Sequence, residues 1–197
     1  MTAARLLALN PDLLAAGAAR RAAPDGTSDA PAPQRSALTK VSLADLPASG
    51  AIVWGPANGP RVTVFSDFQC SYCKRLSAEL AAIGARVEER PISIFGAAAR
   101  KQAVQVLCAP DPVAALDAAY AGTALRRPVS PAPCDTSGLD ANEAFAKAHG
   151  FAGTPVIVRP GDGAVLEGYR DAAALRAFLG SVAPASPPPA PSPKPKG

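Results

Sequence analysis

The sequence predicts an α/β domain with a helical insertion, preceded by a flexible N-terminal segment and followed by a Pro-rich tail. Three features predict it. The β-branched run "RVTVFSD" (61–67) passes directly into the helical pattern "CSYCKRLSAELAAIGA". A second strand-like run, "RVEERPISIF" (86–95), is followed by several helical stretches. Late in the chain, "TPVIVRPGDGAVLEGY" alternates around Gly161-Asp162-Gly163 as a hairpin does, and a last amphipathic stretch follows it.

Taken in order, the run at 61–67 is apolar enough for a buried strand. The helix after it carries Leu76, Leu80 and Ile83 at helical spacing and closes on Gly84. After the second strand, "AAARKQAVQVLCA" places Val104, Leu107 and Cys108 on one helical face. "DPVAALDAAYAG" starts with Asp–Pro, a helix-opening pair, and "SGLDANEAFAKAHGF" ends at Gly150. His149 stands just before that glycine, where a basic side chain suits the last carbonyls of a helix, and it is assigned no chemistry. "DAAALRAFLG" (171–180) has an Asp N-cap, a Leu175/Phe178/Leu179 face and a terminal Gly. The order β, α, β, several helices, β-hairpin, α is that of a thioredoxin fold with a helical insertion.

The ends differ in composition. Residues 1–50 form an N-terminal segment or linker, in which Leu6, Leu7, Leu9, Leu13 and Leu14 line a short helix on either side of Pro11. Residues 183–197 form a Pro-rich, disordered tail that can complete neither a ladder nor a helix. The domain is therefore expected over residues 51–182. At 197 residues the chain has room for one ordinary domain and such ends, and not for two domains.

Charge and cysteine usage narrow the function. The net charge of +4 is dispersed, and no aromatic residues are interleaved with the basic ones, so no nucleic-acid partner is expected. No segment approaches the ~18 consecutive apolar residues of a membrane-spanning helix. The N-terminus has a basic residue and leucines, but "NPD" interrupts its apolar run, so no export signal is evident. The four cysteines comprise a close pair, Cys70 and Cys73, and a distant pair, Cys108 and Cys134. That division fits a redox motif plus a structural disulfide in an oxidising compartment.

The close pair admits redox, zinc and structural readings. A free thiol of pKa ~8.5 is only slightly ionised at neutral pH, whereas a cysteine at a helix start can fall to ~3.5–7.5. Cys70 at such a start is one exposed nucleophile, and Cys73, one turn on, is a sheltered partner. Zinc needs four ligands, and a single histidine with two isolated cysteines does not supply them, so no metal is expected. A purely structural CxxC disulfide would be strained and easily reduced. Pro155, after Thr154, opens a strand either as an ordinary strand-start proline or as a cis-proline that brings Thr154 beside the reactive sulfur.

Together these stretches resemble the DsbC/DsbG family of bacterial periplasmic thiol:disulfide interchange proteins. "VTVFSDFQCSYCKRL" is similar to that family's strand–CxYC–helix, and "VQVLCAPDPVAALDAAYAG" with "PAPCDTSGLDANEAFAKAHGFAGTPVIV" to its cysteine-bearing insertion and Gly-Thr-cisPro loop. "GAVLEGYRDAAALRAFL" resembles its closing strand and helix. The resemblance implies Cys70 as nucleophile and Cys73 as resolving thiol. It implies Thr154-Pro155, with Tyr72, as the substrate-facing surface, and a structural disulfide between Cys108 and Cys134. It further implies a protein disulfide isomerase or oxidoreductase of the periplasm, with no cofactor. Its partners would be unfolded or misfolded disulfide-containing exported proteins and a membrane thiol-reductase.

The chain also departs from that pattern. Residues 1–50 show no strand alternation, so the family's dimerisation module is expected to be absent and the oligomeric state stays open. "SIFGAAARKQ" is plainer than the family's loop, and "FSDFQC" also resembles DsbA-like oxidases. The alternatives are thus an oxidase, or a holdase chaperone using an apolar patch of Phe68, Tyr72 and Thr154-Pro155. A metallochaperone is a third, weaker option, since one histidine and one methionine offer few ligands.

Overall fold

Val62, Val64 and Phe65 make a strand that is buried on both faces, and the sheet is built outward from it. Five strands run in the order β1 (Ile52–Trp54), β3 (Arg86–Pro91), β2 (Arg61–Ser66), β4 (Val156–Val158) and β5 (Val165–Glu167). Strands β2 and β3 are parallel, with Val62 opposite Val87 and Val64 opposite Glu89. A parallel pair needs a crossover, which α1 (Ser71–Ala82) supplies. The other three pairings are antiparallel. The computed structural model describes residues 39–123 and 134–180. The helix expected around Pro11 and the tail expected over 183–197 lie outside the described residues.

Side-chain alternation divides the core between the two faces of the sheet. On one, Val62, Val64, Val87 and Ile157 meet Leu76 and Leu80 of α1 and Leu175 and Phe178 of α5 (Ala172–Gly180). On the other, Phe65, Val156 and Val158 meet Val41, Phe151 and Ala146 of α4 (Ser137–Ala148). Each large side chain so buried contributes roughly 1.5–3 kcal/mol before the cost of ordering the chain. A third cluster joins Cys70, Cys73 and Phe68 to α2 (Ala97–Leu107) and α3 (Pro112–Ala121) through Val106, Leu116 and Tyr120. These two helices are the insertion. Asp111 caps α3 by accepting from the Ala114 N–H at 3.0 Å, and Gly122, at φ 72°, ends it.

Four expectations are corrected. Strand β1 had no counterpart, because three residues are too few for a periodic pattern. The strand expected over 86–95 stops at Pro91, and past Ile92 the chain turns away from the sheet. On α2 the buried residues are Ala99, Ala103 and Val106, while Val104, Leu107 and Cys108 are half-buried. Small alanines let the insertion approach closely, so the largest side chains do not mark its inner face.

The fourth correction concerns residues 39–50, expected as part of the N-terminal segment. They pack on the domain. Val41 is buried and its N–H donates to the Gly163 carbonyl at 2.9 Å, beside a bridge between Lys40 and Ala164. A short 3₁₀ helix, Ala48–Gly50, lies against α4 so closely that a Cβ on Gly50 would meet the Gly138 carbonyl oxygen at 2.4 Å. Asn142, fully buried, fastens the contact. Its amide donates to the Gly50 carbonyl at 2.7 Å and the Pro91 carbonyl at 3.2 Å, and its Oδ1 accepts from Arg90 at 3.1 Å. Alternation does not reveal this arm, since one bridge and one cap hold it.

Candidate active site

The turn before α1 is set by a buried carboxylate. Asp67 accepts from the Gln69 N–H at 2.9 Å through Oδ1 and from the Phe95 N–H at 3.1 Å through Oδ2. Its own carbonyl accepts from the Cys70 N–H at 2.9 Å. These bonds deliver Cys70 to the N-cap position of α1, with extended backbone, so Cys73 falls at the third helical residue. Cys70 and Cys73 are both unbonded thiols.

The chain returns to this point 84 residues later. The Thr154–Pro155 peptide is cis, and the Cys70 thiol donates to the Thr154 carbonyl at 3.4 Å. The Gly168 N–H holds the loop from behind by donating to the Pro155 carbonyl at 2.8 Å. Tyr72, between the cysteines, is 53 % exposed and tilts toward Tyr169 at 6.4 Å. The Arg75 guanidinium lies over both rings, 4.3 Å from the centroid of Tyr169 and 5.6 Å from that of Tyr72. Tyr169 donates in turn to Glu79 at 2.7 Å, and the second oxygen of Glu79 accepts from the Ala172 N–H at the start of α5. The five expected site residues Cys70, Tyr72, Cys73, Thr154 and Pro155 thus gather at one end of α1. Phe68 does not join them on the surface, for it is buried edge-on against Tyr120.

The two thiols differ less in exposure than expected, at 6 % for Cys70 and 2 % for Cys73. Burial pushes the Cys73 thiol far above its ordinary value. The Thr154 hydroxyl and the Asp67 backbone work against that rise, while the neighbouring Cys70 adds to it. Cys108 and Cys134 are disulfide-bonded, tying the end of α2 to the residues that lead into α4. His149 ends α4, its ring 4.3 Å from that of Phe145. Among the described residues, no group of three or more His, Cys, Asp or Glu side chains is placed to hold a metal ion.

In the cluster that holds the cysteines, Tyr120 leads to a buried group that the sequence reading missed. Glu89, on β3, is 2 % exposed. Its Oε2 accepts from the Trp54 indole at 3.0 Å, and its Oε1 from the Tyr120 hydroxyl. Burial raises its carboxyl above the usual range, opposed by Ser66, Tyr120 and Trp54. Burial likewise raises the Tyr120 phenol, and the charges of Glu89 and Cys73 add to that rise. The sequence offered no clue, since Glu89 stands beside Glu88 and Arg90 in the strand-like run and spacing alone does not single it out.

The thioredoxin-like domain family matches residues 51–183. The chain is 34 % identical over 123 residues to the thiol:disulfide interchange protein DsbC of Salmonella typhimurium, covering 60 % of this chain and 49 % of that protein. It is 32 % identical to DsbC of Escherichia coli over 123 residues, 60 % of this chain and 50 % of that one. The chain therefore spans about half the length of the curated relatives it matches. Among solved structures, a disulfide interchange protein from Neisseria gonorrhoeae superimposes with a TM-score of 0.56 at 30 % identity, over 68 % of this chain and 95 % of that one. Proteus mirabilis ScsC in a compact conformation reaches 0.54 at 20 % identity over 67 % of this chain and 72 % of that one, a likeness of fold.

Proposed function

Because the chain belongs to the thioredoxin-like domain family, we propose that it is a thiol:disulfide oxidoreductase in which Cys70 is the nucleophile and Cys73 the resolving thiol. The observation that carries this is the approach of the Cys70 sulfur to the Thr154 carbonyl at the start of α1. Cys70 stands at the N-cap position of α1, beside the first-turn N–H groups that have no partner within the helix. The Thr154 carbonyl lies against the sulfur, and Tyr72, two residues on, is exposed, so both are open to contact with a substrate segment.

In the forward step the Cys70 thiolate attacks one sulfur of a substrate disulfide. A Cys70–substrate disulfide forms, and the second substrate sulfur leaves as a thiolate that takes a proton from solvent. Cys73 then attacks Cys70, which releases the first substrate sulfur and leaves Cys70–Cys73 oxidised. Two electrons have passed to the substrate. When the substrate's own thiol attacks the mixed disulfide instead, the disulfide has been moved and the pair stays reduced, which is isomerisation.

We assign the protein to the DsbC-like type, acting as isomerase or reductase on disulfide-containing exported proteins in the periplasm, with a membrane thiol-reductase to keep the pair reduced. The similarity to DsbC and the intact Cys108–Cys134 disulfide, which suits an oxidising compartment, support that reading. Reduction of insulin by the protein in the presence of a thiol reductant tests the activity, and its absence refutes it. The in vivo state of the pair tests the direction, since a largely oxidised Cys70–Cys73 pair would replace the isomerase with a DsbA-like oxidase. The holdase reading loses Phe68, which is buried, and keeps Tyr72 from its expected patch, while Ile94 and Phe95 are further exposed apolar groups. Full suppression of aggregation by a Cys70/Cys73 double variant, with negligible turnover in the parent, would favour it.

A further inference from the structure

Resting on that reading of the two cysteines, we propose that Arg75 selects the substrate. Its guanidinium receives a carboxylate from a residue beside the attacked cysteine, so disulfides flanked by aspartate or glutamate are the preferred class. Arg75 is an exposed residue of α1, three positions beyond Tyr72 on the same helix. Its guanidinium lies over the rings of Tyr72 and Tyr169, which come from two separate elements. Tyr72 stands between the two cysteines, and Tyr169 follows Gly168, whose N–H holds the Pro155 carbonyl at 2.8 Å. The cation is thus tied both to the helix that begins at Cys70 and to the chain that backs the cis-proline loop.

The way the cation is held leaves donors for a ligand. An aromatic ring takes up the face of a guanidinium, while its five N–H donors point outward around the edge in a fork that matches a carboxylate. The Tyr169 hydroxyl is one polar neighbour of Arg75. Glu79 would be the obvious internal acceptor, since oppositely charged residues four apart pair along a helix. Both its oxygens are already engaged, Oε1 by the Tyr169 hydroxyl at 2.7 Å and Oε2 by the Ala172 N–H at 3.0 Å. Asp171 likewise accepts from the Ala174 N–H at 2.8 Å. Among the described residues, no carboxylate lies within ion-pair distance of Arg75.

A substrate segment that reaches the Cys70 sulfur comes up to the first turn of α1, where Tyr72 is 53 % exposed and carries Arg75 on its ring. A carboxylate arriving there gains a charge-assisted, two-pronged pair. Stacking on two rings has already restricted the arginine side chain, so little further freedom is lost when the pair forms. Glutamine in the same place gains less, and lysine is repelled. Salt screens exposed charges, so the preference should weaken as ionic strength rises.

Disulfide-linked dimers of blocked tripeptides, with cysteine between two glutamates, two glutamines or two lysines, test the proposal. The rate at which the reduced protein releases peptide thiol is followed for each by acid quench and chromatography. Intrinsic differences among the peptides cancel when the glutamate-to-glutamine rate ratio of a variant is divided by that of the parent. Arg75→Gln should lower this ratio about three- to fivefold, the upper range for an exposed ion pair. Arg75→Glu should lower it further and favour the lysine peptide, and it carries the test if Arg75→Gln does not fold. Lys74→Gln removes the same charge one residue away from the stacked position and should keep the ratio within about twofold of the parent's. An unchanged ratio in the folded Arg75 variants, or an equal fall in Lys74→Gln, would overturn the proposal. Failure of the parent to release thiol from any of these peptides would instead overturn the oxidoreductase reading.

Discussion

The sulfur of Cys70 lies 3.4 Å from the main-chain oxygen of Thr154, although 84 residues separate them. This contact places a peptide group, rather than a charged side chain, beside the sulfur of the proposed nucleophile. Cys70→Ala should therefore reduce insulin turnover to background. Cys73→Ala should keep the first thiol reaction and accumulate a mixed disulfide with substrate, visible by mass under non-reducing conditions. Insulin reduction retained by Cys70→Ala would refute the assignment.

The disulfide between Cys108 and Cys134 closes a segment of sequence separation 26. By the chain-entropy argument a loop of that length is worth roughly 3–4 kcal/mol. Urea unfolding of the Cys108→Ser/Cys134→Ser double variant should show a loss of that order. Stability equal to the parent's would mean that the insertion is held by the packing of Val106, Leu116 and Tyr120 alone.

Glu89, buried on β3, should leave a mark on how stability varies with pH. Burial raises its folded pKa above the unfolded value of about 4.3. The protonated form then favours the folded state. That contribution is fully present below the unfolded pKa and is lost as pH rises through the folded one, so this group makes stability fall with pH over the window above about 4.3. Urea midpoints measured at a series of pH values should show the slope in the parent and a flatter profile in Glu89→Gln. An identical slope in both proteins would place the titration elsewhere.

Asn142 joins the arm at 39–50 to β3 and α4 with three hydrogen bonds. Asn142→Ala leaves the Gly50 and Pro91 carbonyls without that donor in a buried site, at a cost of about 2–3 kcal/mol. Amide hydrogen exchange at Val41 and Ala51 should quicken in the variant before the central strand is affected. Unchanged protection would show that Val41 and the Lys40–Ala164 bridge hold the arm unaided.

The central parts of the fold were legible because their sequence patterns are local. Val62 to Phe65 announce a doubly buried strand, Leu76 and Leu80 a helix face, and Asp111-Pro112 a helix start. The three-residue strand Ile52–Trp54 and the arm at 39–50 were not legible, since each is stabilised by a partner remote in sequence. The inner face of α2 was misread because alanines, not the larger Val104 and Leu107, are its buried residues.

At the site, the sequence by itself determined the placement of the two thiols. A pair of thiols one helical turn apart, following a buried strand, makes one cysteine a helix-start sulfur and the other its neighbour. Tertiary structure decided what surrounds them. It alone brought Thr154 to Cys70, buried Phe68, and set Tyr120, bonded to Glu89, in the cluster that holds the two cysteines. The reason is physical. Spacing along a chain fixes which side chains share a helix turn or a strand face, whereas burial and long-range contact depend on how whole elements pack.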